Sequence, residues 1–81
     1  MDAGGPYFPY RPPFTVVFAR CMNSTGYMGN VGKECVLIEL LARKEWPRDD
    51  KGAPVPLYLG RFPHSGNKLF VRHDEVDLPQ R

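Results

Sequence analysis

The sequence predicts an all-β fold, a small five-stranded barrel with one short 3₁₀ turn, and three observations carry that prediction. The first is the order of the last third, His64-Ser-Gly-Asn-Lys-Leu-Phe-Val-Arg-His-Asp-Glu-Val-Asp-Leu78. It reads as a tight turn, a short apolar strand, one polar helical turn and a final alternating strand. The second is punctuation: nine prolines and eight glycines in 81 residues favour many turns and short strands over long helices. The third is a series of short segments, rich in β-branched and aromatic residues, that alternate in polarity. At this length there is room for one domain, and folding buries roughly 60–65% of the surface that the unfolded chain exposes.

Residues 1–13 read as an N-terminal extension, compositionally distinct from a single domain at 14–81. Gly4, Gly5, Pro6, Pro9, Pro12 and Pro13 exclude regular helix and central strand, while Tyr7, Phe8 and Tyr10 supply aromatic surface. Such a segment favours an extended, polyproline-like path. Three outcomes remain open for it: a tail held over the core by its aromatics, a linear peptide for a partner, or disorder. Residues 14–20 alternate, with Phe14, Val16 and Phe18 on one face, and form the first strand. Asn23-Ser-Thr-Gly-Tyr-Met-Gly-Asn-Val-Gly32 then makes a loop whose glycines and asparagines tolerate positive φ.

Residues 34–46 admit two readings. Their composition suits a helix, which would make the fold α+β. Their periodicity suits one long, bent strand, because Val36, Ile38, Leu40, Ala42 and Trp46 are apolar whereas Lys44 and Glu45 would fall inside the apolar arc of a helix. We favour the strand. Pro47 ends it, and residues 48–56 form a polar turn followed by Pro54 and Pro56, which suits a loop leading to an edge strand. Residues 57–62 are a short alternating strand, 63–67 a hairpin connection with Gly66-Asn67 able to turn left-handed, 68–72 a strand, 73–75 one helical turn and 76–78 the closing strand. The expected core is Phe14, Val16, Phe18, Val36, Ile38, Leu40, Leu59, Phe70 and Val76.

Charge and special residues narrow the function. Eleven basic and nine acidic residues are interspersed, so no basic stripe of the kind nucleic-acid modules carry is visible in linear order. Such a face would have to assemble from Arg20, Arg61, Lys68 and Arg72. Thirteen residues separate Cys21 from Cys35 and eight separate His64 from His73, neither of which is the close-paired spacing of a zinc site. No metal and no cofactor are expected. The cysteines are expected to be free thiols, with Cys35 buried beside Val36-Leu-Ile. Asp49-Asp50 and Asp74-Glu75 are adjacent carboxylates that point apart in a turn, so no catalytic pair is expected. No apolar run approaches a membrane span, and Met1-Asp-Ala-Gly-Gly-Pro has no signal-peptide pattern. A cytoplasmic setting follows as the expectation, and with it an unmodified Asn23.

Taken together, the long loop at 22–33, a second loop at 46–56, the tight hairpin at 64–67 and the strand, turn and strand of 68–78 resemble the Src homology 3-like superfamily of small barrels. The resemblance covers residues 14–78 and is one of order and spacing. It lacks the Ala-Leu-Tyr-Asp-Tyr-like strand and the paired tryptophans of the superfamily's peptide-binding members. Gly29-Asn-Val-Gly-Lys33 is similar to the loop of ribosomal and transcription-factor barrels that touch RNA or polymerase, and it does not match a phosphate-cradling loop. The resemblance implies binding between the two long loops, where Tyr27, Trp46, Tyr58 and Phe62 fall in or beside them with Arg48 and Arg61 as flanking charges. Aromatic side chains give large contact area at low entropic cost and anchor interfaces, although the same residues also serve a small core. The expected function is non-enzymatic: a protein-interaction module, an adaptor or small inhibitor of a larger complex. The alternative is a nucleic-acid-binding barrel.

Overall fold

The computed structural model describes residues 7–21 and 28–79. It is all-β: β1 (Phe14–Phe18), β2 (Glu34–Leu40), β3 (Leu57–Phe62), β4 (Asn67–Arg72) and β5 (Val76–Asp77). All pairings are antiparallel, in the order β4-β3-β2-β1-β5, and the sheet curls into a half-barrel. Four strands form a meander. The chain then passes through a 3₁₀ turn at His73–Glu75 and returns on the far side of β1. The Glu75 carbonyl accepts the Ala19 and Arg20 N–H groups at 2.7 and 3.1 Å, which extends the β1–β5 seam past Phe18. In the β3–β4 turn the Phe62 carbonyl accepts the N–H groups of Ser65 and Gly66, and Gly66 takes φ +79°, the left-handed conformation glycine supplies without strain.

Residues 34–46 are neither one strand nor a helix. The strand ends at Leu40, its last rung being the Leu41 N–H to Leu57 carbonyl bond at 2.9 Å. Beyond that rung no described strand continues alongside, and Arg43–Glu45 winds into a 3₁₀ turn before Pro47. A further 3₁₀ turn occupies Met28–Asn30, so the described residues contain three such turns where one was expected.

The core shares Val16, Phe18 and Val76 with the expected set, and Phe14 and Leu40 pack at its edge. Its remaining members are Cys35, Leu37, Tyr58, Phe62 and Val71. Val36, Ile38, Leu59 and Phe70 are therefore not core residues, and Ile38 and Phe70 are 39% and 47% exposed. Because side chains alternate with period two, choosing the wrong face of a strand exchanges its whole inner set. Two devices fix the true face. Gly60 lies inside, where a Cβ would come within 2.5 Å of the Cys35 sulfur, so the absent side chain makes room for the thiol. A β-bulge between Leu37 and Glu39 adds one residue to β2, so that Leu37 opposite Gly60 and Leu40 opposite Tyr58 both face inward.

Candidate functional site

The structure does not gather the six expected binding residues. Tyr58 and Phe62 are fully buried core residues and present no surface to a partner. Tyr27 lies outside the described residues. Trp46 and Arg48 sit in the β2–β3 loop, and Arg61 stands exposed on the opposite face of β3 from Tyr58 and Phe62.

The β2–β3 loop is occupied with its own closure. The Trp46 indole N–H donates to the Leu41 carbonyl at 2.9 Å, and the Arg43 guanidinium lies 5.5 Å from the centre of the ring. Arg48 donates to the Gly52 carbonyl at 2.8 Å. The Asp49 carboxylate accepts the N–H groups of Ala53 and Lys51 at 2.8 and 2.9 Å. These bonds, led by the one from Ala53, hold the Asp49 carboxyl below its usual range.

Residues 7–13 lie as a strap across the barrel end where this loop meets the His73–Glu75 turn. Tyr10 stacks on Phe14 and on His73, with ring centres 4.8 and 4.7 Å apart, and its N–H donates to the Tyr58 hydroxyl at 2.9 Å. The Tyr58 hydroxyl also meets His73 Nδ1 at 2.8 Å. Since the hydroxyl oxygen already accepts from Tyr10, its proton is best placed on a neutral imidazole, which assigns the ring hydrogen to Nε2. Burial pushes the Tyr58 hydroxyl up to about 12 and holds His73 below its usual value, with Asp74 opposing the latter shift. Tyr7 donates to Asp49 at 3.0 Å and meets the His73 ring edge-on at 5.6 Å. Burial first, and then the bond to Asp49, raises the Tyr7 hydroxyl. Beside it, Arg72 forks onto Asp74 through two bonds of 2.9 and 2.6 Å, a largely enclosed pair. A cleft of about 520 Å³ opens between Tyr7, Arg48, Asp49, Arg72 and Asp74, but Tyr7 is bonded to Asp49, Arg72 to Asp74 and Arg48 to the Gly52 carbonyl.

The outer face of the sheet is different. Arg61 stands directly opposite Lys68, and both are exposed. One step along β4 on the same face, Phe70 stands opposite Leu59, which in turn opposes Glu39 of β2. Val36 lies across from Arg61, and the bulged Ile38 is exposed next to it. The result is an apolar strip of Val36, Ile38, Leu59 and Phe70 with two cations at one end. Phe70 is absent from the six expected binding residues, and Lys68 enters only through the alternative basic face with Arg61. The signal that would have found them is the alternation in Lys68-Leu-Phe-Val-Arg72, where two basic residues share the parity of Phe70 and mark its side as the solvent side.

The Cys35 thiol is enclosed and pushed up to about 12 by burial, which leaves it protonated and unreactive. Among the described residues no group of three or more histidine, cysteine, aspartate or glutamate side chains is arranged to hold a metal ion, and no helix is long and apolar enough to cross a membrane. The chain matches no family model, no curated protein and no solved structure.

Proposed function

We propose that the chain is a Src homology 3-like barrel that works without catalysis as a protein-interaction module, an adaptor or a small inhibitor of a larger complex in the cytoplasm. The fold assignment is supported by a fifth strand that returns beside the first after a single 3₁₀ turn. The function rests on one observation: a sheet face that keeps Phe70 and Ile38 in contact with solvent although the inner face has its own apolar core. Large apolar side chains grouped on one exposed face mark sites of association. Trp46, half-buried and tied to Leu41, belongs to the loop's internal packing in this reading, and the contact surface moves from the loops to the sheet.

The alternative reading, a nucleic-acid barrel, draws on Arg61 and Lys68 beside an exposed aromatic ring, the ingredients of a backbone-and-stacking site. Glu39 on the same face, together with Glu34 at the exposed start of β2, works against a polyanion there. Affinity capture from the source cell separates the two, using nuclease-treated and untreated lysate and comparing the wild type with Phe70→Ala and Trp46→Ala. Capture that survives nuclease and is lost with Phe70→Ala supports the interaction module. Capture abolished by nuclease overturns it in favour of nucleic acid.

A further inference from the structure

We propose that the outer sheet face takes an extended acidic segment of a partner protein. A carboxylate of the segment sits between Arg61 and Lys68, and an apolar side chain two positions away covers Phe70 and Ile38. The inference rests on the interaction-module reading and specifies the partner's chemistry.

The pairing of Arg61 with Lys68 is the key observation. Like charges directly opposite on neighbouring strands oppose folding, yet here they face each other in register. Among the described residues neither forms an ion pair, whereas four other arginines are engaged: Arg72 on Asp74, Arg20 on Asp77, Arg48 on the Gly52 carbonyl and Arg43 over Trp46. Two adjacent, unneutralised donors, one of them a planar guanidinium, fit a carboxylate group. Lys68 and Phe70 share a face two residues apart, a spacing of about 7 Å along the strand. An extended peptide repeats its own faces at that same spacing, so an acid–x–apolar pattern matches both contacts at once. Glu34 and Glu39 on β2 disfavour a continuous polyanion, and one or two isolated carboxylates avoid them.

The test selects a displayed random-peptide library on the immobilised full chain, then titrates the best synthetic peptide against the wild type and surface variants. Enrichment of acid–x–apolar peptides is expected. Binding should weaken by about three- to tenfold in Arg61→Glu and in Lys68→Glu. Exchange of the peptide's acid for lysine should recover affinity in the Arg61→Glu/Lys68→Glu double variant, a gain that loss of folding could not produce. Enriched peptides without an acidic bias, or indifferent to both substitutions, overturn this inference and leave the interaction module standing. Failure to enrich any peptide overturns both. Tighter, steeply salt-dependent binding of an oligothymidylate in the same titration replaces both with the nucleic-acid reading.

Discussion

The strap end of the barrel and the outer face of its sheet are built from similar residues and treat them in opposite ways. At the strap end aromatic rings, a histidine, an arginine and two aspartates are matched with one another: Tyr10 with Tyr58 and His73, Tyr7 with Asp49, Arg72 with Asp74. On the outer face Arg61 and Lys68 oppose each other, and Phe70 and Ile38 beside them are exposed. Composition alone does not distinguish a structural cluster from a binding face. Hydrogen bonding and charge pairing do: where donors and acceptors find partners within the chain, the cluster holds the fold, and where like charges face each other beside exposed apolar surface, we propose a face open to another molecule.

The comparison makes its strongest claim about two phenylalanines. Phe62→Ala should cost about 3–5 kcal/mol, a large part of the stability of so small a domain, while Phe70→Ala should stay within about 1 kcal/mol. Equal shifts in urea midpoint would erase the distinction between inner and outer faces. Next in size is Gly60→Ala, where the new methyl group collides with the Cys35 sulfur. A loss of about 1–3 kcal/mol is expected, and the Cys35→Ala background should return part of it. No relief in the double variant would place the strain elsewhere.

Tyr58→Phe tests the strap. It removes the hydroxyl that receives the Tyr10 N–H and serves His73 Nδ1, at a cost of about 1–2 kcal/mol. The same cluster sets a pH dependence. Burial holds the folded-state pKa of His73 below its ordinary 6.5, so the unfolded chain takes up the proton first. This contribution to stability is complete above 6.5, declines as the pH falls through 6.5 towards the depressed folded value, and then levels off. Melting curves across that window should show the decline in the wild type and a smaller one in His73→Phe. A transition that strengthens on acidification would contradict the neutral, acceptor state assigned to Nδ1. The smallest effect has the opposite sign: Arg61→Glu converts a repulsive cross-strand pair into an attractive one and should stabilise the free protein by about 0.2–1 kcal/mol. A destabilised Arg61→Glu would mean that Arg61 has a structural role after all.

Much of the architecture was legible in the residues. The strands expected at 14–20, 57–62 and 68–72 follow from alternation and are present at Phe14–Phe18, Leu57–Phe62 and Asn67–Arg72, and the glycine turn and the one-turn 73–75 segment follow from turn chemistry and are present too. Which face turned inward was not legible at β2, β3 and β4, because Val36 and Ile38 compete with Cys35 and Leu37, and Leu59 with Tyr58. The side of Phe70 was available, since Lys68 and Arg72 share its parity. The inward turn of β3 was harder to see. It depends on a tyrosine hydroxyl finding Tyr10 and His73 from 48 and 15 residues away, pairings that no local pattern encodes. The bulge at Ile38 is equally silent, since it is fixed by the register with β3 and not by any residue type. Of the candidate site, only Arg61 lies on the face proposed here. The loop aromatics were chosen for their position between elements, and the described ones turned out to complete the core or close their own loop.

The two-residue strand β5 has a consequence for how the molecule assembles and comes apart. Its partners on β1, Val17 for Asp77 and Phe18 for Val76, lie some 60 residues away in sequence, whereas β3 and β4 are joined by a four-residue turn. Closing a long loop costs more chain entropy than closing a short one, and among the described residues a short seam repays it: two residue pairs, the Ala19 and Arg20 bonds to the Glu75 carbonyl, and the Arg20 side chain on Asp74 and Asp77. The β3–β4 hairpin is thus the natural nucleus, and the β1–β5 seam zips last. Once formed, that seam is also the first to open, so in native-state hydrogen exchange the amides of Ala19 and Arg20 should trade with solvent well before those of β3.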